Sequence, residues 1–309
     1  MTSVDEAEGG PKPATRCGIV ALIGAPNAGK STLVNALVGM KVSIVTHKVQ
    51  TTRAVVRGIM LEGDTQVILV DTPGIFAPRR RLDRAMVKTA WGSAQDADLV
   101  CPLIDVKRGL DEAAEKILAG LENIRRPKCL ILNKIDLVPK TDLLGLAQEA
   151  NARASFDETF MISAQSGSGI PALKEGLCRR MPEGPWLYPE DQISDLPERM
   201  LAAEITREKL MLRLHDELPY ASTVETEQWK RLRDDSVRIE QTIYVERESQ
   251  KKIVLGQGGQ TIRAISQAAR AEIAHMVERP VHLFLYVKVR SRWADDPERY
   301  REMGLDFSN

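Results

Sequence analysis

The sequence predicts two domains: a doubly wound α/β domain with a mostly parallel sheet over residues 17–182, and a small α+β domain over 200–309. Three observations carry this reading. Aliphatic runs alternate with helical periods through the first 180 residues, a proline-rich stretch at 182–199 interrupts every period, and beyond it two segments alternate apolar and polar residues with period two.

The runs are GIVALIG (18–24), TQVILVD (65–71), ADLVCPLID (97–105), KCLILNK (128–134) and ETFMISA (158–164). Their hydrophobicity is continuous rather than alternating, as in strands covered on both faces. KSTLVNALV, RLDRAMVKTAWGSAQ and IPALKEGLCRRM supply helices between them, the alternation that builds a parallel sheet. PEGPWLYPEDQISDLPER carries four prolines and reads as a linker (183–199) laid on a surface. MLAAEITREKLMLRLHDEL is a helix with an apolar stripe. In VRIEQTIYVE the residues Val237, Ile239, Ile243 and Val245 share a face; in VHLFLYVKV, Val281, Leu283, Leu285, Val287 and Val289 do. Residues 1–16 are polar, acidic and punctuated by proline and glycine, and are expected to form a disordered tail without the pattern of a signal or transit peptide.

Lys+Arg and Asp+Glu both number 43, so no global charge draws the chain to nucleic acid and any basic surface has to be local. Cys17, Cys101, Cys129 and Cys178 lack C-x-x-C spacing and are expected as free buried thiols of a reducing compartment. No run approaches the roughly 18 apolar residues of a membrane span. A cytoplasmic protein is expected.

GAPNAGKS (24–31) follows a strand and opens a helix, the context a G-x-x-x-x-G-K-[ST] phosphate loop requires. Gly24 and Gly29 would allow the tight turn. Backbone N–H groups of Asn27, Ala28, Gly29, Lys30, Ser31 and Thr32 could then face phosphate oxygens beside the helix N-terminus. Lys30 would reach the β- and γ-phosphates and Ser31 would ligate Mg²⁺. NKID (133–136) ends an aliphatic run, which puts Asn133, Lys134 and Asp136 at a strand's C-terminal edge, where open α/β sheets bind ligands. A carboxylate at Asp136 can accept from N1–H and the exocyclic amine of guanine, a donor pair that adenine lacks. In SAQ (163–165), which begins with Ser163, the N–H of Ala164 could meet the guanine carbonyl. DTPG comprises Asp71, Thr72, Pro73 and Gly74; Asp71 would hold Mg²⁺ through water and the Gly74 N–H would touch the γ-phosphate. QTTR (50–53) lies between the two phosphate elements, where a switch threonine should ligate Mg²⁺; Thr52 is preferred and Thr51 is the alternative.

In this order across residues 24–165, GAPNAGKS, QTTR, DTPG, NKID and SAQ resemble the five signature elements of translation-factor-related GTPases. The resemblance implies GTP and GDP as ligands, Mg²⁺ as cofactor, and hydrolysis to GDP and phosphate. Ras-type members usually place a glutamine after the D-x-x-G motif to orient the attacking water; here that residue is Ile75, which cannot. Some GTPases with a hydrophobic residue at that position use a K⁺ ion held by a phosphate-loop asparagine, and Asn27 occupies the matching position. The alternative for Asn27 is a turn-forming side chain bonded to its own loop.

KKIVLGQGGQTIR (251–263) admits three readings. A dinucleotide fingerprint fails because its third glycine position is Thr261, and a second phosphate loop fails because no lysine follows the glycines. The third is a G-x-x-G loop, Gly256-Gln257-Gly258-Gly259, whose bare backbone can approach a sugar-phosphate chain. Residues 245–290 hold eight Lys/Arg against four Asp/Glu, with Lys251, Lys252 and Arg263 bracketing the glycines. A purely structural helix-turn-helix with Thr261 as N-cap is the alternative.

A GTPase followed by YVERESQKKIVLGQGGQTIRAI and VHLFLYVKVRSRWADD, with LRLHDELPY before the second core, resembles bacterial GTPases that carry a C-terminal KH domain, over roughly residues 17–305. The resemblance implies a type II KH topology, binding near the 3′ end of small-subunit ribosomal RNA, a part in 30S subunit maturation, and loose peripheral association with the inner membrane; a monomer is expected. A regulatory membrane GTPase whose C-terminal domain binds protein or lipid is the rival class. A nucleotide kinase is disfavoured, since NKID and DTPG together have no role there.

Overall fold

Aliphatic continuity sets the centre of the first domain. The computed structural model describes residues 15–305 except 79, 216, 292, 294 and 295. Strands β1 (Arg16–Gly24), β2 (Val56–Glu62), β3 (Thr65–Asp71), β4 (Leu99–Asp105), β5 (Cys129–Asn133) and β6 (Glu158–Ile162) form one sheet in the order β2-β3-β1-β4-β5-β6. All neighbours pair in parallel except β2 with β3. Helices α1 (Lys30–Val38) and α5 (Ile170–Arg179) cover one face through Leu33, Leu37, Leu173 and Leu177. On the other face α2 (Arg81–Asp96), α3 (Glu112–Gly120) and α4 (Lys140–Arg153) insert Ala90, Ile117, Leu118 and Leu143. Burial on both faces is why β3 and β4 read as unbroken apolar runs.

Strand β2 is absent from the sequence reading. It forms a hairpin with β3 around Gly63, whose φ of 56° suits the two-residue turn. Gly58 interrupts its apolar pattern because a Cβ there would stand 2.8 Å from Val34 of α1. The proline-rich stretch lies along this edge of the sheet: Ile59 donates to the Ile193 carbonyl at 2.9 Å and Arg57 pairs with Asp195 at 2.8 Å. Of the expected tail, residues 1–14 lie outside the described residues, and Arg16 already belongs to β1.

The second domain starts with α6 (Glu198–Arg213), which ends five residues short of the helix read from sequence. Strands β7 (Ser222–Arg231), β8 (Val237–Val245) and β9 (Val281–Val289) follow in the order β7-β8-β9, with β8 and β9 parallel. Strand β7, rich in Thr, Glu and Gln, carries too little apolar alternation to show in the sequence. Between β8 and β9 lie α7 (Glu248–Leu255) and α8 (Gln260–Met276), and a short α9 (Pro297–Glu302) closes the described chain. The helices cover one face of this sheet over Val237, Ile239, Ile243 and Val245; on β9 burial fades from Val281 to Val289, which is exposed. All four cysteines are free, three buried and Cys178 half-buried.

Candidate functional site

Strands β1, β3 and β5 end at one edge of the sheet, next to the N-terminus of α1, and their ends carry the predicted motifs. Gly29 has φ 103° and Asn27 φ 63°, so the phosphate loop turns through two left-handed residues. Gly24 serves differently from its expected turn role: its φ is not left-handed, and a Cβ there would lie 2.7 Å from the Leu103 carbonyl, so it permits close packing on β4. A cavity of about 400 Å³ opens over this loop, lined by Asn27, Gly29, Lys30, Ser31, Thr32, Thr51, Thr52, Gly74 and Lys134.

Lys30 is buried, and its ammonium donates to the carbonyls of Gly24 (3.1 Å) and Ala25 (3.2 Å). Burial pulls it down to about 8, against a partial opposing pull from Asp71. Three hydroxyls meet one carboxylate oxygen beside it. Ser31 and Ser43 each donate to Asp71 Oδ2 at 2.6 Å, Thr52 Oγ1 lies 3.5 Å from the same oxygen, and Ser31 Oγ and Thr52 Oγ1 are 2.9 Å apart. Burial pushes the Asp71 carboxyl upward against these hydrogen bonds and Lys30. Asp71 Oδ1 is buried with no hydrogen-bond partner. A hard cation satisfied by few protein oxygens, water and phosphate fits such a donor set. Thr51 is kept out of it: its hydroxyl contacts Thr46 (2.6 Å) and the Lys48 carbonyl (2.8 Å).

After Asp71, Thr72 donates to the Leu22 carbonyl at 2.7 Å, and a Cβ on Gly74 would run into Pro26 at 2.8 Å. Pro73 stands between them in an irregular segment. Ile75 is buried among Ile23, Ala90 and Val100, so it meets the core rather than water. Asn27 donates to the His47 carbonyl at 2.8 Å, which ties the phosphate loop to the segment carrying Thr51 and Thr52.

Asn133 is buried and bridges two loops: Nδ2 donates to the Ala28 carbonyl (2.9 Å), and Oδ1 accepts from the Ala164 N–H (3.0 Å). That N–H, expected on the guanine carbonyl, is therefore committed to Asn133 here. Ser163 Oγ accepts from the Ser166 N–H at 3.2 Å and shapes the same loop. Lys134, at φ 69°, donates to the Asn27 carbonyl (2.7 Å) and Asp105 (2.6 Å), and Asp136 is exposed in the turn after β5.

In the second domain Gly256, Gly258 and Gly259 all have positive φ, at 72°, 58° and 77°. The α7–α8 turn thus needs glycine at three positions. A Cβ on Gly256 would collide with Thr261 at 2.2 Å, whereas Gly258 meets nothing within 4 Å and can take an approaching backbone. The N-cap of α8 is Gly259 without a side-chain cap, so Thr261 does not cap the helix. Gln257, Lys252 and Arg263 are exposed around the turn and Lys251 is half-buried.

Two family models match separate parts of the chain. Residues 19–134 match the model of a 50S ribosome-binding GTPase, and residues 217–294 match that of a KH domain. The chain is 67% identical over 293 residues to GTPase Era of Afipia carboxidovorans, covering 95% of each chain, and 67% identical to GTPase Era of Brucella suis, covering 95% and 94%. The chain belongs to the GTPase Era family. A solved Era in complex with MgGDPNP and nucleotides 1506–1542 of 16S ribosomal RNA is 37% identical, with a TM-score of 0.88 over 94% of this chain and 99% of that one. An Era variant of Aquifex aeolicus bound to GDP·AlF4⁻ matches with the same identity, score and coverage. The protein is thus a GTPase with a C-terminal KH domain.

What sequence reasoning missed in this Era-family chain is how its domains touch. The irregular segment 41–53, between α1 and β2, lies against the KH domain. Arg207 of α6 donates to the Thr51 carbonyl; Glu208 accepts from Lys41 (2.8 Å) and from the Val45 N–H (2.9 Å). Lys41 also pairs with Glu272 of α8, the helix that the GQGG turn opens. Arg53 of QTTR is buried and donates to the carbonyls of Ser222 (2.8 Å), Pro219 (3.1 Å) and Tyr220 (3.2 Å). The available signal was the buried charge itself: Arg207 and Glu208 sit within the apolar stripe of α6, where charges need partners.

Proposed function

We propose that GTP hydrolysis in this protein is a switch whose state biases RNA binding by the KH domain, and that the RNA is the 3′ region of small-subunit ribosomal RNA, bound during 30S subunit maturation. The observation that carries the switch is that one segment touches both the candidate metal site and the KH domain: Thr52 joins the Ser31–Asp71 group while the carbonyl of Thr51 is held by Arg207 of α6. A hollow of about 540 Å³ between the domains borders the same segment at Thr52, so it has room to rearrange. The choice of RNA rests on the Era relative whose structure contains 16S nucleotides 1506–1542.

In this reading the N–H groups from Asn27 to Thr32 cradle phosphates, with Lys30 leaving its loop carbonyls for the β- and γ-phosphates and Gly74 facing the γ-phosphate. Asp136 reads the guanine, supported by Asn133, Lys134, Ser163 and Ala164. Ser31, Thr52 and Asp71 would hold Mg²⁺, which supplies charge neutralisation between the phosphates when bound. The reading includes a K⁺ ion at Asn27 in place of the missing glutamine, supported by the adjacent His47 carbonyl; equal turnover in K⁺ and Na⁺ would remove that ion from the account. Gly256 to Gly259, with Lys251, Lys252 and Arg263, clamp the RNA backbone. Among the described residues no helix is long and apolar enough to cross a membrane. We place the protein in the cytoplasm as a monomer in loose contact with the inner membrane, on the family resemblance alone.

The test is RNA binding by a Gly258→Asp, Gly259→Asp variant. Loss of single-stranded RNA binding with GTP turnover retained supports the reading. Unchanged RNA binding would favour a domain that meets protein or lipid.

A further inference from the structure

Strand β9 has two faces of different chemistry. Val281 and Leu283 are buried beneath α6 and α8, whereas His282, Phe284, Tyr286 and Lys288 are exposed on the opposite face of the sheet; Phe284 and Tyr286 leave 40% and 47% of their surface open. Two large rings at i and i+2 of one strand, about 7 Å apart, are an unusual feature for positions that stay this exposed. Their surroundings are cationic. Arg238 of β8 stands opposite His282 and lays its guanidinium 4.4 Å from the Phe284 ring centre, and Lys230 of β7 stands opposite Arg238. Glu240, which stands opposite Phe284, is paired with Arg238 at 2.7 Å. Helix α9 covers the far end of the face, where Arg299 lies over Tyr244.

We propose that this face is a stacking platform for unpaired bases of single-stranded RNA, continuous with the KH groove. Exposed rings bordered by cations are what sequence-tolerant single-strand binding needs, since every base has a π-face and the phosphates supply the charge. Continuity follows from the topology. β9 is an edge strand of the sheet, and its inner residues Leu285 and Val287 pack against the same core cluster as Ile262 of α8, beside the GQGG turn. A strand leaving that turn crosses one edge of β9 to reach Phe284 and Tyr286 on the other side. The proposal rests on the KH domain's binding RNA at GQGG and extends the footprint beyond it.

The test compares two single-stranded RNA probes on the full chain, one of about six nucleotides, near the four that a G-x-x-G loop clamps, and one of about fourteen that reaches past the groove on both sides. Anisotropy titrations use wild type, a Phe284→Ala, Tyr286→Ala variant, a Tyr286→Phe variant and the Gly258→Asp, Gly259→Asp variant. The platform variant is expected to bind the short probe as wild type does and to lose about tenfold or more on the long one, with Tyr286→Phe retaining wild-type affinity. Wild-type binding of the short probe by the platform variant reports that its KH domain is folded, and unaltered GTP turnover reports that its GTPase domain is. Equal affinity of wild type and platform variant for the long probe overturns the proposal. Self-association of wild type that the platform variant abolishes would assign the face to a second copy and also overturn it. Loop-variant binding equal to wild type on both probes would sink the underlying KH reading instead.

Discussion

Arg207, buried in the first helix of the KH domain, donates a hydrogen bond to the backbone carbonyl of Thr51, the residue before the threonine that faces Ser31 and Asp71. The two residues are separated by 156 positions in sequence. A displacement of Thr52 by even an ångström would change the acceptor offered to Arg207, and charge-assisted hydrogen bonds are sensitive to such shifts.

Replacing Arg207 by methionine keeps much of the buried volume beside Met211 and removes the donor. The variant is expected to hydrolyse GTP while the ratio of its RNA affinities in the GTP and GDP states moves toward one, a loss of about 1.5–3 kcal/mol of interaction. RNA titrations in both nucleotide states check this, and an unchanged ratio would show that Arg207 does not carry the coupling.

Thr52 and Thr51 should separate by metal dependence. Thr52→Ala is expected to raise the Mg²⁺ concentration for half-maximal GTP turnover by about 10-fold to 100-fold, because its hydroxyl lies 2.9 Å from Ser31 Oγ. Thr51→Ala, which loses contacts only to Thr46 and Lys48, should leave that concentration near the wild-type value. The reverse order in an Mg²⁺ titration would reassign the ligand.

Asp136→Asn exchanges a carboxylate that accepts two hydrogen bonds for an amide that accepts one and donates one. GTP affinity is expected to fall by about 10⁴, and XTP, whose base carries a carbonyl in place of the guanine amine, should become the better substrate. Retained preference for GTP over XTP would remove Asp136 from the guanine site.

Lys30 gives a pH signature. With its ammonium down to about 8 from an ordinary 10.5, the unliganded folded chain holds fewer protons there than the unfolded chain between those values. Phosphates placed beside the ammonium raise it again. Nucleotide binding should therefore take up a proton between about pH 8 and 10.5 and none near pH 6, and affinity should fall by up to about tenfold per pH unit above pH 8. Binding heats at pH 9 in buffers of different ionisation enthalpy measure the uptake; heats independent of buffer would contradict it.

The parallel strands and the glycine-rich turns were legible in the sequence because each follows from a local rule. Burial on both faces writes an unbroken run such as VILV, and left-handed residues write Gly29, Gly258 and Gly259. Strand β2 was hidden by Gly58, which is there for contact with α1, and β7 by its polar composition. Helix α4 combines a weak apolar stripe with an internal glycine. At the site, residues of the phosphate loop, QTTR and DTPG border one cavity together with Lys134. The pairing of Arg207 with Thr51, or Lys41 with Glu272, is set by tertiary packing across more than 150 residues, and no local pattern encodes it. The commitment of the Ala164 N–H to Asn133 is of the same kind.

Nucleotide state and RNA binding should share one free energy through segment 41–53. The direct measurement is a thermodynamic cycle on the full chain: affinity for a small-subunit rRNA 3′-end oligonucleotide with a non-hydrolysable GTP analogue and with GDP, and affinity for each nucleotide with and without the oligonucleotide. The two ratios are expected to differ from one and equal each other, by about 5-fold to 150-fold. An RNA affinity that is the same in both nucleotide states would contradict it.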